Sequence, residues 1–272
     1  MLAALIIVFR EVLEAGLIVG IVAAVTRGVA HYRLWIGGGV GAGVLGSLLV
    51  AAFLGTIASA FGGSGNLLFN AAILATAVVM LAWHNVWMAK HGRAMAAELR
   101  TAGEAVVTGS RSMLALAVVI AVAVLREGAE VVLFLFGIAV SGKDTAAMLM
   151  IGGFAGLLLG ALVSGLTYWG MLNIPTRYLF RATSLLIAFL AAGMAAQTIA
   201  MLEQAGIVTA LGETVWNTSA LLSDRGIAGR ILHTLIGYSD QPSRMQLLAY
   251  LATLASIWLL MRTVAPGRPR AA

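Results

Sequence analysis

The segment VLREGAEVVLFLFG (124–137) places an arginine and two glutamates inside a strongly apolar run, and VFREVLEAGLIVG (8–20) does the same. A charged side chain at bilayer depth costs roughly 2.5–3.5 kcal/mol on insertion scales. A chain that carries six such groups must gather them together or line a polar route with them. On a helix of about 3.6 residues per turn, Arg10, Glu11 and Glu14 fall within one arc of roughly 100°, and Arg126, Glu127 and Glu130 repeat that arc. Each arginine stands i,i+4 from the second glutamate of its motif, and the two glutamates stand i,i+3, so these side chains can meet.

The rest of the chain makes bilayer depth the right frame. Of 272 residues, 61% are hydrophobic and only 10% are charged, whereas a soluble domain carries about 25% charged residues. Mean hydropathy is +1.00. The absence of cysteine excludes disulfides, thiolate metal sites and cysteine nucleophiles. It also leaves no sign of redox compartment. The net charge of +6 comes from scattered lysines and arginines, which read as a topology signal and give no reason to expect a nucleic-acid partner.

A spanning helix needs about 20 mostly apolar residues. Seven stretches qualify, at 2–25, 34–60, 67–89, 112–140, 146–171, 180–203 and 246–264. FGGSGN (61–66), SGKD (141–144) and NIPTR (173–177) read as breaks between them. The connection 204–245 is polar enough to lie outside the bilayer, with room for short helices. The opening MLAALIIVF lacks a basic leader and is interrupted by REVLE, so it reads as the first span rather than as a cleaved signal. With the N-terminus outside, the inside loops hold Arg27, Arg33, Lys90, Arg93, Arg100, Arg111, Arg177, Arg181, Arg262, Arg268 and Arg270. The outside loops then hold only Lys143, Arg225, Arg230 and Arg244. That bias puts the C-terminus in the cytoplasm.

Arg10 and Arg126 are 116 residues apart, and IGGGVG (36–41) and IGGFAG (151–156) are 115 apart. The spacing predicts two three-helix repeats, about 2–89 and 112–203. The outside loop (about 204–245) and a seventh helix (about 246–264) follow. An odd number of spans per repeat inverts one copy relative to the other, a plan that places transporter substrate sites near the midplane. Both glycine motifs also suit plain close packing of helices. The expected fold is therefore all-α, one transmembrane domain over 1–272 with seven spans.

If the repeat brings the two motifs together, four glutamates and two arginines converge with two negative charges in excess. A cation supplies the balance. Carboxylate oxygens are hard ligands, suited to iron, manganese, magnesium or calcium rather than cuprous copper. A pair of buried salt bridges that only fixes packing would use the same residue types. The doubling of the motif and its excess negative charge favour an ion path.

These two R-E-x-x-E motifs, on the first and fourth spans, resemble those of the oxidase-dependent iron permease family, with its fungal high-affinity and bacterial EfeU branches. The family motif is often R-E-G-L-E; here it reads REVLE and REGAE. VWMAKHGR (86–93) and the stretch 215–254 look like the bacterial branch. The resemblance implies high-affinity iron uptake across a bacterial cytoplasmic (inner) membrane. It implies a metal set of Glu11, Glu14, Glu127 and Glu130, with Arg10 and Arg126 as charge partners. Iron is then the transported substrate, and no cofactor is held permanently. Periplasmic iron-binding or oxidase/peroxidase proteins are the partners implied for the bacterial branch. The acidic D-A-S-E stretch of fungal members is missing, and the last outside loop offers Asp224 and Asp240 singly. Other hard or heavy divalent cations, such as lead or manganese, fit the same carboxylates.

His84, Gln197, Asp224 and Asp240 are further candidates for the path. A lone histidine between tryptophans also suits a backbone carbonyl partner, Gln197 a helix–helix hydrogen bond, and the aspartates a solvated loop face. Glu203 and Glu213 raise the same choice, while Met194 and Met201 suit packing. GGSG (62–65) matches a pattern of intramembrane serine proteases, but His84 lies roughly 30 Å from Ser64 by helix rise, which argues against an enzyme. No nucleotide-binding G-x-x-x-x-G-K-[ST] motif is present.

Overall fold

In a bilayer each backbone polar group has to be satisfied within its own segment, which for a chain of this hydropathy leaves helices. A computed structural model of the chain describes residues 1–61, 67–140, 145–170, 176–224 and 226–264. The expected breaks at 62–66, 141–144 and 173–175, and Ser64 with them, lie outside the described residues. Among the described residues there are eight helices: α1 (Leu2–Val25), α2 (Tyr32–Phe61), α3 (Leu67–Val107), α4 (Met113–Val140), α5 (Ala146–Tyr168), α6 (Thr176–Gln204), α7 (Ile227–Ile236) and α8 (Arg244–Val264). The one β feature among them is an isolated bridge, Thr214 to Ser243.

Five of these helices are long and apolar enough to cross a membrane, namely the segments Tyr32–Ile57, Leu67–Met88, Ala146–Tyr168, Arg181–Gln204 and Arg244–Thr263. The helices α1 and α4 have 24 and 28 residues, about 36 and 42 Å at the usual rise. Each carries the three charges of its motif, which sets it apart from the other five. The chain divides into two compact units. One holds residues 1, 3–64 and 93–181, the other 2, 65–92 and 182–272.

In the first unit, glycines let helices approach to backbone contact. A Cβ on Gly39 or Gly43 of α2 would stand 2.6 Å from Ala117 O or 2.8 Å from Ala121 O of α4. One turn on, Ser47 donates to Gly43 O at 3.0 Å and reaches Leu125 O at 3.4 Å. On α5, a Cβ at Gly152 would overlap Met1 O of α1, and one at Gly156 or Gly160 would meet Leu5 O or Phe9 O at 2.5 and 2.9 Å. In both seams the residue numbers rise together, so α2 runs parallel to α4 and α5 parallel to α1. The α1–α5 seam ends where Arg27 donates to Tyr168 Oη at 2.9 Å.

By contrast, α1 and α4 pass each other in opposite directions. Ile18 and Val22, from the later half of α1, share a buried cluster with Leu116, Ile120 and Val124 from the earlier half of α4. The same cluster takes in Ile36 of α2 and Leu99 and Val106 of α3. These last two belong to a stretch expected to be an inside loop. Instead α3 continues to Val107, 41 residues in all, about 61 Å and twice a hydrocarbon core. Hydropathy falls there and ends the span, but residues such as Ala, Met, Glu and Leu keep the helix going. Leu99 and Val106, two turns apart, give it a buried stripe, and a Cβ on Gly103 would stand 3.0 Å from Val25 Cγ1.

In the second unit the long connection is an ordered structure. Val215 and Thr218 donate backbone N–H bonds to Pro242 and Asp240, each at 2.9 Å. Tyr238 donates to Leu222 O at 2.9 Å, and Tyr250 donates to Ile236 O. The short helix α7 ends at Gly237, whose φ of 69° is left-handed. That glycine packs on Gly193 of α6 with no room for a side chain on either.

Candidate metal centre

The helical period puts each motif's charges on one face, and the α1–α4 crossing turns those faces towards each other. One carboxylate oxygen from each of Glu11, Glu127 and Glu130 lies within 4.8 Å of the others. At an effective dielectric of about 20, two carboxylates at such a distance repel by roughly 3 kcal/mol. Three ionised groups can be held so close only with positive charge among them.

The arginines supply part of it, unequally. Arg10 Nη2 stands 3.0 Å from Glu14 Oε1 and its Nη1 3.3 Å from Glu11 Oε1. The Arg10 and Glu14 side chains are only 1% and 2% exposed. On α4, Arg126 Nε lies 3.2 Å from Glu130 Oε1 and 4.0 Å from Glu127 Oε1, but the Arg126 side chain is 35% exposed and that of Glu130 13%. The motifs match in sequence and differ in setting. Glu14 is not part of the three-carboxylate group; it is drawn into a buried ion pair with Arg10. The group keeps three carboxylates, with Glu11 sharing Arg10 with Glu14 and with Glu127 and Glu130 beside Arg126, a set of hard oxygens suited to a di- or trivalent cation.

The other candidates belong to the second unit. His84 is buried on α3 in the second unit. Beside it, buried Asn85 donates from Nδ2 to Ser184 O on α6 at 3.0 Å. Gln197 is half-buried on α6. Asp224 and Asp240, far apart in sequence, come together, for the Asp224 backbone N–H donates to Asp240 Oδ2 at 3.2 Å. Glu203 anchors the long connection, its two oxygens accepting from Ser243 Oγ at 2.6 Å and Gln246 Nε2 at 2.8 Å. Glu213 pairs with Arg244 at 2.9 Å on the surface. Met194 and Met201 are buried.

Sequence reasoning passed over Ser47 and Ser164. Each sits on a glycine of a charged helix: a Cβ on Gly128 would overlap Ser47 Oγ, and one on Gly16 would overlap Ser164 Oγ. The available signal was the series Gly39, Gly43, Ser47 and Gly152, Gly156, Gly160, Ser164, small residues at every fourth position.

Helices long and apolar enough to cross a membrane, together with a buried group of carboxylates that could hold a metal ion, are the features of a membrane protein with a cation to carry. The family comparison makes this specific. The model of the Iron permease FTR1 family matches residues 1–265, and the chain belongs to that family. It is an iron permease and not an enzyme. Among curated relatives, a ferrous iron permease EfeU of Escherichia coli O6:K15:H31 is 33% identical over 245 residues, covering 87% of this chain and 86% of that protein. One from Shigella sonnei shows the same identity and coverage. One from Yersinia pestis is 30% identical over 259 residues, 93% of this chain and 90% of its own length. No solved structure matches the chain.

Proposed function

We propose that this protein imports ferrous iron across the bacterial cytoplasmic membrane through a midplane site shared by its two R-E-x-x-E motifs. The observation that carries the reading is the convergence of Glu11 with Glu127 and Glu130 within 4.8 Å. One motif alone provides at most two carboxylates; the pair provides three, with Glu14 in reserve on Arg10. Arg10 and Arg126 are the charge partners. The ferrous state is carried over from the names of the relatives. Membership of an iron permease family favours iron over lead or manganese.

The proposed architecture is a single transmembrane domain of seven spans, α1 to α6 and α8, with the N-terminus outside. The parallel pairs α1–α5 and α2–α4 support it, because strict alternation of spans makes each pair parallel. The register of the seams supports the inverted repeat. Gly39 meets Ala117 and Ile120 where Gly152 meets Met1 and Ala4; Gly43 meets Ala121 and Val124 where Gly156 meets Leu5 and Val8. On α1 and α4 these partners are 116 apart, the spacing of Arg10 and Arg126. On α2 and α5 the glycines are 113 apart, so the structural alignment differs by two residues from the IGGGVG/IGGFAG match.

His84 and Gln197 on the spanning parts of α3 and α6, and Asp224 with Asp240 in the outside connection, are proposed as lesser contributors to the path. An inside-negative potential favours cation entry by about 2.3 kcal/mol per charge per 100 mV. Periplasmic iron-binding or oxidase/peroxidase proteins are the proposed source of iron. The test is radioactive iron uptake into proteoliposomes, with and without ascorbate, for the parent and Glu127→Gln. Uptake that needs ascorbate and is lost in the variant is the expected result; uptake from ferric iron alone would overturn the ferrous assignment.

A further inference from the structure

The two motifs occupy unequal environments, and the direction of the helices gives that inequality a meaning. From Glu11, Glu14 lies about 4.5 Å further along α1, towards the apolar cluster of Ile18, Val22, Leu116 and Ile120. From Glu127, Glu130 lies about 4.5 Å further along α4, away from that cluster. Because α1 and α4 run in opposite directions, Glu14 and Glu130 stand on opposite sides of the Glu11–Glu127 level, about 9 Å apart along the axis. On Glu14's side both charged groups are buried, its side chain being 2% exposed and that of its partner Arg10 1%. On the other side Glu130 is 13% exposed and Arg126 35%. A guanidinium at that depth faces water rather than lipid.

We infer that Glu130 and Glu14 serve the ion in turn, Glu130 as the entry ligand of an outward-open state and Glu14 as the exit ligand of an inward-open one. This rests on the proposed site and on the proposed orientation, in which the apolar cluster lies towards the cytoplasm. In the outward-open arrangement, the ion's ligands are Glu11, Glu127 and Glu130, and Arg10 holds Glu14 out of the site. Opening the inner side parts the apolar cluster and frees Glu14 from Arg10, while Arg126 closes on Glu130. The exchange leaves the ion with three carboxylates before and after, so its charge environment stays level while its position shifts by several ångströms. Equal ligand charge on both sides lets the ion leave as readily as it entered. The i,i+4 spacing of arginine and second glutamate, found in both motifs, is what each half of the exchange requires. Glu11 and Glu127, each next to its arginine in sequence, stay with the ion throughout.

The experiment pairs equilibrium binding of ferrous iron to purified protein, under anaerobic conditions, with uptake kinetics in proteoliposomes. Glu130→Gln is expected to weaken binding and raise KM by about tenfold or more. Glu14→Gln is expected to bind within about twofold of the parent while its maximal uptake falls by about tenfold or more. Equal loss of binding in both variants, or a larger loss in Glu14→Gln, overturns the order of use. Glu127→Gln separates this from the underlying reading: if it binds and transports like the parent, the carboxylate site itself is wrong and the inference goes with it. A second readout does not depend on the glutamine variants. The chain has no cysteine, so Glu130→Cys and Glu14→Cys each carry a single thiol. In right-side-out vesicles a membrane-impermeant thiol reagent is expected to label the first and spare the second. Labelling of both at one rate overturns the proposal.

Discussion

Ser47 of α2 occupies the space that a side chain at Gly128 of α4 would need, its Oγ overlapping the point where a β-carbon there would stand. Gly128 is the central residue of REGAE, between the two glutamates, so the approach of α2 sets how the second motif is presented. Gly128→Ala is expected to destabilise the protein by about 1–3 kcal/mol through overpacking and to reduce uptake. Ser47→Ala relieves only part of the clash, since Ser47 Cβ itself lies 2.7 Å from the added carbon. Ser47→Gly in the Gly128→Ala background is expected to restore melting temperature and uptake. A double variant as impaired as Gly128→Ala alone would show that the seam is not the cause.

Arg10 and Arg126 are equivalent in sequence and are expected to differ on substitution. Arg10→Met leaves Glu14 and Glu11 without their charge partner in a closed interior, at a cost of about 3–5 kcal/mol. Arg126→Met acts on a group that is 35% exposed, and its cost is expected to be about 1 kcal/mol. Thermal unfolding in detergent compares the two. Arg10→Lys keeps the charge and loses the planar fork that reaches Glu11 and Glu14 together, so it is expected to retain more stability than Arg10→Met and still transport poorly.

Three carboxylates held within 4.8 Å repel each other until a cation joins them. Ferrous iron at about 100 times its dissociation constant is therefore expected to stabilise the parent by about 2.7 kcal/mol. Glu127→Gln removes one of the three charges and is expected to abolish most of that gain while melting higher than the parent without metal. A rise in melting temperature with iron that is equal in parent and variant would place the binding elsewhere.

Glu203 ties the long connection to α8 through Ser243 and Gln246. Glu203→Ala leaves two donors without their acceptor, at about 1–3 kcal/mol, and is expected to speed proteolytic cleavage between 205 and 243. An anchoring role predicts an unchanged KM for iron with less intact protein. A raised KM without faster cleavage would instead make Glu203 an ion-guiding residue.

Much of the site is legible in the order of residues. The charged face of each motif follows from the helical period, and the demand that such faces meet follows from the cost of charge in hydrocarbon. Less is legible in α3. The basic stretch after Met88 carries the composition of a loop next to a membrane, yet Leu99, Gly103 and Val106 continue the helix to Val107, because a partner surface at Val25 and Ile18 rewards burial there. The glycines of α2 and α5 announce close packing without naming a partner. Gly43 meets Val124 and Gly156 meets Leu5 across 81 and 151 residues of chain, and nothing local encodes such a pairing.

By itself, then, the sequence determined that this chain is helical, belongs in a bilayer and carries two equivalent carboxylate motifs. Hydropathy, charge and period are properties of neighbouring residues, and those suffice for such conclusions. The tertiary structure alone decided that the motifs are not equivalent in setting. The Arg10 and Glu14 side chains are buried, at 1% and 2% exposure, while those of Arg126 and Glu130 are 35% and 13% exposed. Which of two matching sequences is sealed depends on how distant helices pack around them, because packing controls where water can reach and so which carboxylate is open to an ion.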